Sequence, residues 1–95
     1  MTARAYETAI ALMKSPEAEA TIAVVQEADP DAEVVDRGPY LHLRSKNDIH
    51  VDLNAVGDEL GENVPLSRWL VVMSTYTGRI TTGDDFITFT AEIPD

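Results

Sequence analysis

The sequence predicts an α+β fold in which two helices pack against a mainly antiparallel sheet. Three observations indicate this class: segments of alternating apolar and polar residues, two well-marked helix starts, and turn residues between the segments. The expected order is strand–helix–strand–strand, then strand–helix–strand–strand with a closing strand. The 95 residues suffice for one domain. We expect that domain over residues 7–95, after a short flexible tail at residues 1–6.

The first half of the chain opens with a loosely alternating strand at Glu7–Lys14. A helix then begins after Ser15, because a hydroxyl cap, a proline at the first helical position and early acidic residues all favour a helix start. It must end by Asp29, since Pro30 disfavours the helical conformation in the residue before it. Two further strands are expected, at Ala32–Asp36 and Tyr40–Arg44.

The second half begins with a strand at Asp48–Val51 and a helix capped by Asp52. Gly61 follows the last apolar residue of this helix, where a C-terminal glycine is typical. Gly57 lies in the middle of the same helix, where glycine costs up to about 1 kcal/mol. We therefore interpret Gly57 as a point of close packing.

The most apolar stretch is Trp69–Met73, and five consecutive bulky residues predict a central strand buried on both faces. The hydroxyl-rich bend Ser74–Arg79 follows it. Gly83–Asp85 is typical of a turn, and Phe86–Ala91 alternates as a closing strand. Its inward side is expected to contain Ile87, Phe89, Ala91 and Ile93.

Composition excludes several classes of function. Seventeen acidic residues against seven basic ones give a net charge of −10, which would repel a nucleic-acid backbone. Such a surface fits a basic protein partner or serves solubility alone, and both interpretations stay open. The absence of cysteine excludes disulfides, iron–sulfur clusters and thiolate zinc sites. We expect neither a membrane span nor a signal peptide, and a cytoplasmic location.

His42 and His50 are the two histidines, and with neighbouring carboxylates they could form an iron or zinc site. Each lies on the polar side of its expected strand, however, which favours solvated or partner-facing side chains. No nucleophile elbow or phosphate-binding glycine motif is present. We therefore expect no catalytic residues and no cofactor.

The bend after the apolar stretch is the best candidate for a recognition surface, because it combines small hydroxyl residues with one cation, Arg79. Trp69 is expected in the core. Tyr76 suits an interface anchor and a buried ring equally well.

These segments, in this order, resemble the coupling, or effector, proteins of bacterial soluble diiron monooxygenases. The matching features are an Ile-x-Val-Asp entry, a helix closing in Glu-Leu-Gly and a link into a long apolar segment. A Ser/Thr-rich bend ending in Gly-Arg, an acidic hairpin and a closing strand complete the pattern. Upstream, Asp36–Arg44 resembles a strand of that family with an acid, a base and an aromatic residue. The resemblance covers residues 7–93.

The resemblance implies a protein without a cofactor that binds the hydroxylase near its diiron site. It would thereby alter substrate access, oxygen activation and the coupling of electron transfer to hydroxylation or epoxidation of a hydrocarbon. We expect a monomer when free. The hydroxylase-binding residues that the resemblance implies are Ser74, Thr75, Tyr76, Thr77, Gly78 and Arg79, with Tyr40 upstream.

Two other classes of function stay open from the residues alone. One is a free-standing ferredoxin-like module that binds a small metabolite. The other is a metalloprotein that uses His42 and His50.

Overall fold

A computed structural model describes residues 7–91 of the chain. The tail expected at residues 1–6 lies outside this range, as do residues 92–95 and the inward position expected for Ile93. Seven strands and three helices form within the described residues. In chain order they are β1 (Thr8–Met13), α1 (Pro16–Ala28), β2 (Glu33–Arg37), β3 (Tyr40–Ser45), β4 (Ile49–Asp52), α2 (Leu53–Leu60), α3 (Leu66–Val72), β5 (Met73–Tyr76), β6 (Arg79–Thr82) and β7 (Phe86–Thr90).

The strands form two sheets, and the pairings within both are antiparallel. The four-stranded sheet has the order β2-β3-β1-β5, and the three-stranded sheet has the order β4-β7-β6. The expected α+β class with helices on antiparallel strands is therefore confirmed. A ferredoxin-like module would place its strands in a single sheet, so this division also speaks against the sensor alternative.

One hydrophobic cluster joins the two sheets and the three helices. Each sheet contributes alternate residues from one face, because side chains along a strand point to opposite sides. The largest fully buried side chains in it include Ile10, Leu12, Leu43, Ile49, Trp69, Ile87 and Phe89.

The first two helices begin and end where the sequence predicts. The Ser15 hydroxyl accepts a hydrogen bond from the Ala18 backbone N–H at 3.1 Å and so caps α1. Asp52 caps α2 in the same way, accepting from the Asn54 N–H at 2.9 Å. Gly61 ends α2 with φ at +73°. A Cβ on Gly57 would lie 2.7 Å from the Glu62 carbonyl oxygen, so the predicted close contact is confirmed.

The strand predicted at Trp69–Met73 is wrong, because Leu66–Val72 forms the helix α3 and only Met73 belongs to a strand. The helix turns Trp69 and Val72 inward, three residues apart, and leaves the two residues between them exposed. Residues 7–91 thus form three helices instead of the two predicted. The prediction that Trp69 lies in the core is confirmed, since its side chain is fully buried.

Polar contacts of two residues, Trp69 and Arg68, hold α3 in place. The Trp69 indole N–H donates to the Thr21 hydroxyl at 2.9 Å, and that hydroxyl donates to the Glu17 carbonyl at 2.7 Å. The Arg68 guanidinium lies 3.3 Å from the Glu17 carboxylate and also pairs with Glu62. The start of α3 is therefore tied to α1 and to the segment after α2.

Candidate functional site

The bend Ser74–Arg79 lies where the chain leaves the four-stranded sheet and enters the three-stranded one. Its first residues belong to β5, whose only neighbour among the described strands is β1. Tyr76 pairs with Ile10 and Thr75 with Ala11, but Leu12 pairs with Met73. Ser74 is therefore an extra residue in a β-bulge, which bends the strand.

Thr77 anchors the bend to the sheet through two hydrogen bonds to one residue. Its hydroxyl accepts from the Ala9 backbone N–H at 3.1 Å, and its own N–H donates to the Ala9 carbonyl at 2.9 Å. The Thr77 hydroxyl is thus already engaged within the fold. The hydroxyls of Ser74 and Thr75 are exposed.

Gly78 lets the chain cross closely over β7. Its φ is +87°, a conformation that side chains with a Cβ rarely adopt. A Cβ built at this position would lie 2.1 Å from the Thr90 carbonyl oxygen, far inside van der Waals contact. Both the torsion and the space require glycine here, so the course of the bend is narrowly determined.

Tyr76 combines the two roles that the sequence left open. Its ring contacts the buried Phe89 at a centroid distance of 5.6 Å and an angle of 56°. The side chain is nevertheless 41% exposed. The ring is thus seated on the core at one edge and open to solvent at the other.

Arg79 is the cation of the bend, at the start of the edge strand β6. Its side chain is exposed and forms no hydrogen bond or ion pair with residues 7–91. Arg68, by comparison, is engaged by two carboxylates, which raise its pKa. Arg79 is therefore free to meet a carboxylate outside the described chain.

Tyr40, the upstream candidate, lies on the other face of the four-stranded sheet from Tyr76. It pairs with Met13, whereas Tyr76 pairs with the inward Ile10. Paired residues share a face and successive residues alternate, so Tyr40 points away from the core. Thr75 shares the outer face with Tyr40, at a distance of about 12 Å from strand spacing and rise.

Sequence reasoning missed two surface residues, Leu70 and Val71, because it placed them in a buried strand. In α3 their side chains are 37% and 72% exposed, directly before the bend. The signal that could have identified the helix is the three-residue spacing of Leu66, Trp69 and Val72, which marks one helical face.

The histidines lie on different sheets, His42 on β3 and His50 on β4. The His50 Nδ1 lies 2.8 Å from the Thr88 hydroxyl, and its ring stacks on Phe86. Within residues 7–91, no group of three or more histidine or carboxylate side chains is arranged to hold a metal ion. None of the helices in that range is long and apolar enough to cross a membrane.

The described residues thus form a small α+β domain with an anchored and exposed bend. The family model described as the MmoB/DmpM family matches residues 7–90. The chain belongs to this family.

Solved structures agree with that assignment. The chain is similar to a chain of a phenol hydroxylase–regulatory protein complex, with a TM-score of 0.79 and 15% identity, covering 90% of this chain and 99% of that one. It is also similar to regulatory protein B of soluble methane monooxygenase, with a TM-score of 0.66 and 28% identity. That match covers 90% of this chain and 66% of the other. No curated protein matches the chain.

One of these structures is a regulatory protein of a soluble methane monooxygenase, and the other comes from a complex of phenol hydroxylase with its regulatory protein. The regulatory role that the sequence predicted is therefore confirmed at the level of the family. The similarity in fold extends over nine-tenths of the chain.

Proposed function

We propose that this protein is the non-catalytic regulatory component of a multicomponent soluble diiron monooxygenase, and that it binds the hydroxylase near the diiron site. The match of residues 7–90 to the MmoB/DmpM family carries this proposal. Binding changes substrate access, oxygen activation and the coupling of electron transfer to hydroxylation or epoxidation of a hydrocarbon. The protein works in the cytoplasm and is a monomer when free.

Such a protein can act only through differential binding. If it binds one hydroxylase conformation more tightly than another, it shifts the hydroxylase toward that conformation by the difference in binding free energy. A tenfold difference in affinity corresponds to about 1.4 kcal/mol. An interface of about 1,600 Å² in total is sufficient for a stable complex of this kind.

The bend Ser74–Arg79 is our proposed centre of that interface. Its backbone is fixed by the hydrogen bonding of Thr77 to Ala9 of β1 and by the close approach of Gly78 to Thr90 of β7. A contact surface that is already ordered loses little conformational entropy on binding. Its exposed groups are hydroxyls, the edge of one aromatic ring and a cation without a side-chain partner among residues 7–91, which together suit a specific protein contact.

Replacing Tyr76 with alanine tests this placement. We expect Tyr76→Ala to weaken hydroxylase binding about tenfold, because a partly exposed aromatic anchor is a typical hot spot. Binding and coupled turnover are measured with the purified hydroxylase and reductase, and thermal unfolding reports the fold. Tyr76→Phe is the matched control, since it keeps the ring on Phe89 and should retain most of the affinity. If binding and coupled turnover are unchanged in Tyr76→Ala, the proposal that the bend forms the centre of the interface is wrong.

Tyr40 is a separate part of the same proposal. Because it lies on the outer face, it contacts the hydroxylase only if the partner also covers that face near Thr75. Tyr40→Ala in the same binding measurement decides this. An affinity equal to that of the wild type would confine the contact to the bend.

A further inference from the structure

A stretch without acidic residues extends well beyond the bend. Residues 63–83 contain no aspartate or glutamate, although the chain has seventeen acids. The stretch is bounded by Glu62 and Asp84 and includes two arginines. It forms α3, the bend and β6, so one continuous part of the fold lacks the charge that dominates the rest.

The outward side of α3 is apolar and lies directly beside the bend. Leu70 is 37% exposed and Val71 is 72% exposed. Val71 and Ser74 are three residues apart, which places their Cα atoms within about 10 Å of each other. These two adjacent side chains form a small apolar patch beside the fixed bend, which a protein partner could cover together with it.

The two arginines of the stretch differ in what they contact. Arg68 is engaged by Glu17 and Glu62 and serves the fold. Arg79 has no side-chain partner among residues 7–91. An exposed arginine that pairs with no carboxylate among residues 7–91 is available to a carboxylate of a partner protein.

We propose that the hydroxylase contact extends from the bend back along α3. Leu70 and Val71 pack on an apolar hydroxylase surface, and Arg79 pairs with a hydroxylase carboxylate. This inference rests on the proposed function and specifies the chemistry of the partner surface: apolar opposite α3 and acidic opposite β6. The exposed acids of α1 and α2, such as Glu19 and Glu59, stay at the rim or outside the contact.

The apolar part is tested with Val71→Gln. Glutamine keeps the helix propensity and removes the apolar surface. We expect at least a fivefold loss of affinity for the purified hydroxylase, with the melting temperature unchanged. Ala23→Gln, at an exposed position of α1, is the matched control and should change the affinity less than twofold. An affinity for Val71→Gln within twofold of the wild type would overturn the extension along α3.

The charged part is tested with Arg79→Glu. Reversing a charge opposite a carboxylate should weaken binding at least tenfold, with the loss reduced at high salt. Arg37→Glu is the control, because Arg37 is also an exposed arginine without a partner among residues 7–91, at the far edge strand β2. Equal losses for the two variants would show a general effect of net charge and would overturn the specific pairing.

The outcomes separate this inference from the proposed function. If Tyr76→Ala weakens binding while Val71→Gln and Arg79→Glu do not, the hydroxylase contact stands and the extended surface is wrong. If the unmodified protein does not bind the hydroxylase, the proposed function fails, and the inference fails with it.

Discussion

Thr77 and Gly78 show how single residues fix the conformation of the bend. The Thr77 hydroxyl accepts a hydrogen bond from Ala9, while the hydroxyls of Ser74 and Thr75 are open to a partner. Neighbouring residues of similar chemistry therefore have different tasks. The sequence predicted the run of hydroxyl residues. It could not show which hydroxyl bonds to the fold and which is exposed, because Ala9 lies 68 residues away from Thr77 in the chain.

Gly78→Ala is expected to be among the more damaging single changes outside the core. It adds a Cβ 2.1 Å from the Thr90 carbonyl at a φ of +87°. The combined clash and torsion should reduce the free energy of unfolding by about 3 kcal/mol. Urea unfolding measures this loss.

Gly38→Ala is the matched control for that prediction. Gly38 also has a positive φ, +71°, but no atom lies within 4 Å of the added Cβ. Gly38→Ala should therefore reduce the free energy of unfolding by about 1 kcal/mol, the torsional cost alone. Equal losses at Gly38 and Gly78 would contradict the close approach of the bend to β7.

At the scale of elements, the predictable features were those with local causes. The caps of α1 and α2 and the turns between strands are determined by residues a few positions apart, and these predictions are confirmed. Apart from the strand predicted at Trp69–Met73, the predicted strand bounds differ from the observed ones by one residue, as at β2 and β3.

The helix α3 was not predictable in the same way, because distant contacts decide its conformation. Five bulky residues in a row favour a strand locally. The hydrogen bond of Trp69 to Thr21 spans 48 positions, and the ion pair of Arg68 with Glu17 spans 51. These long-range contacts override the local preference, so a sequence window around Trp69 could not reveal them.

The predicted bend is confirmed only in part as local structure. The chain turns at Thr77 and Gly78, while Ser74–Tyr76 belong to β5 and Arg79 begins β6. The opposite faces of Tyr40 and Tyr76 follow from the register of β1 with β3 and β5, which involves residues far apart in the chain.

The contact between the end of α1 and the end of β3 predicts a specific sensitivity to acid. The Asp29 carboxylate accepts a hydrogen bond from the Ser45 hydroxyl at 2.5 Å and another from the Asn47 amide at 3.3 Å. The bond from Ser45, chiefly, lowers the pKa of Asp29 from its ordinary value of 3.8. Because the pKa is lower in the folded state, this stabilisation is fully present above pH 3.8 and is lost as the pH falls through the folded-state value.

Ser45→Ala removes the main cause of that shift. We expect the free energy of unfolding of the variant at neutral pH to be about 1 kcal/mol below that of the wild type. As the pH falls below about 4, the free energy of unfolding should decrease less for the variant than for the wild type. Urea unfolding between pH 2.5 and 7 measures both quantities. Parallel stability profiles for the two proteins would show that Asp29 and Ser45 are not coupled.

At the scale of the whole molecule, acidic residues outnumber basic ones around the helices. The helices α1 and α2 pack together, and the hairpin before β7 joins them through a hydrogen bond from the Leu53 N–H to the Asp85 carbonyl at 2.9 Å. One set of acids therefore surrounds these helices: Glu17, Glu19, Glu27, Asp58, Glu59, Glu62, Asp84 and Asp85. Of the described basic residues, Arg68 pairs with this set, through Glu17 and Glu62.

This arrangement predicts that salt stabilises the protein. The ion pairs of Lys14 with Asp36 and of Arg44 with Glu33 are exposed, and such pairs contribute at most about 1 kcal/mol each. Repulsion within a net charge of −10 should outweigh them, and salt screens it over about 10 Å at 0.1 M. We expect the melting temperature to rise by a few degrees between about 10 and 150 mM sodium chloride.

Neutralising one acid separates repulsion from pairing. Glu59 is exposed near the C-terminal end of α2 and has no side-chain partner among residues 7–91. Glu59→Gln should raise the melting temperature at low salt, because it removes repulsion and an unfavourable interaction with the helix dipole, and the gain should vanish at about 0.5 M salt. Glu33→Gln, which removes the partner of Arg44, should give no gain. A melting temperature that falls with added salt would mean that attraction outweighs repulsion, and the acidic side would then stabilise the fold directly.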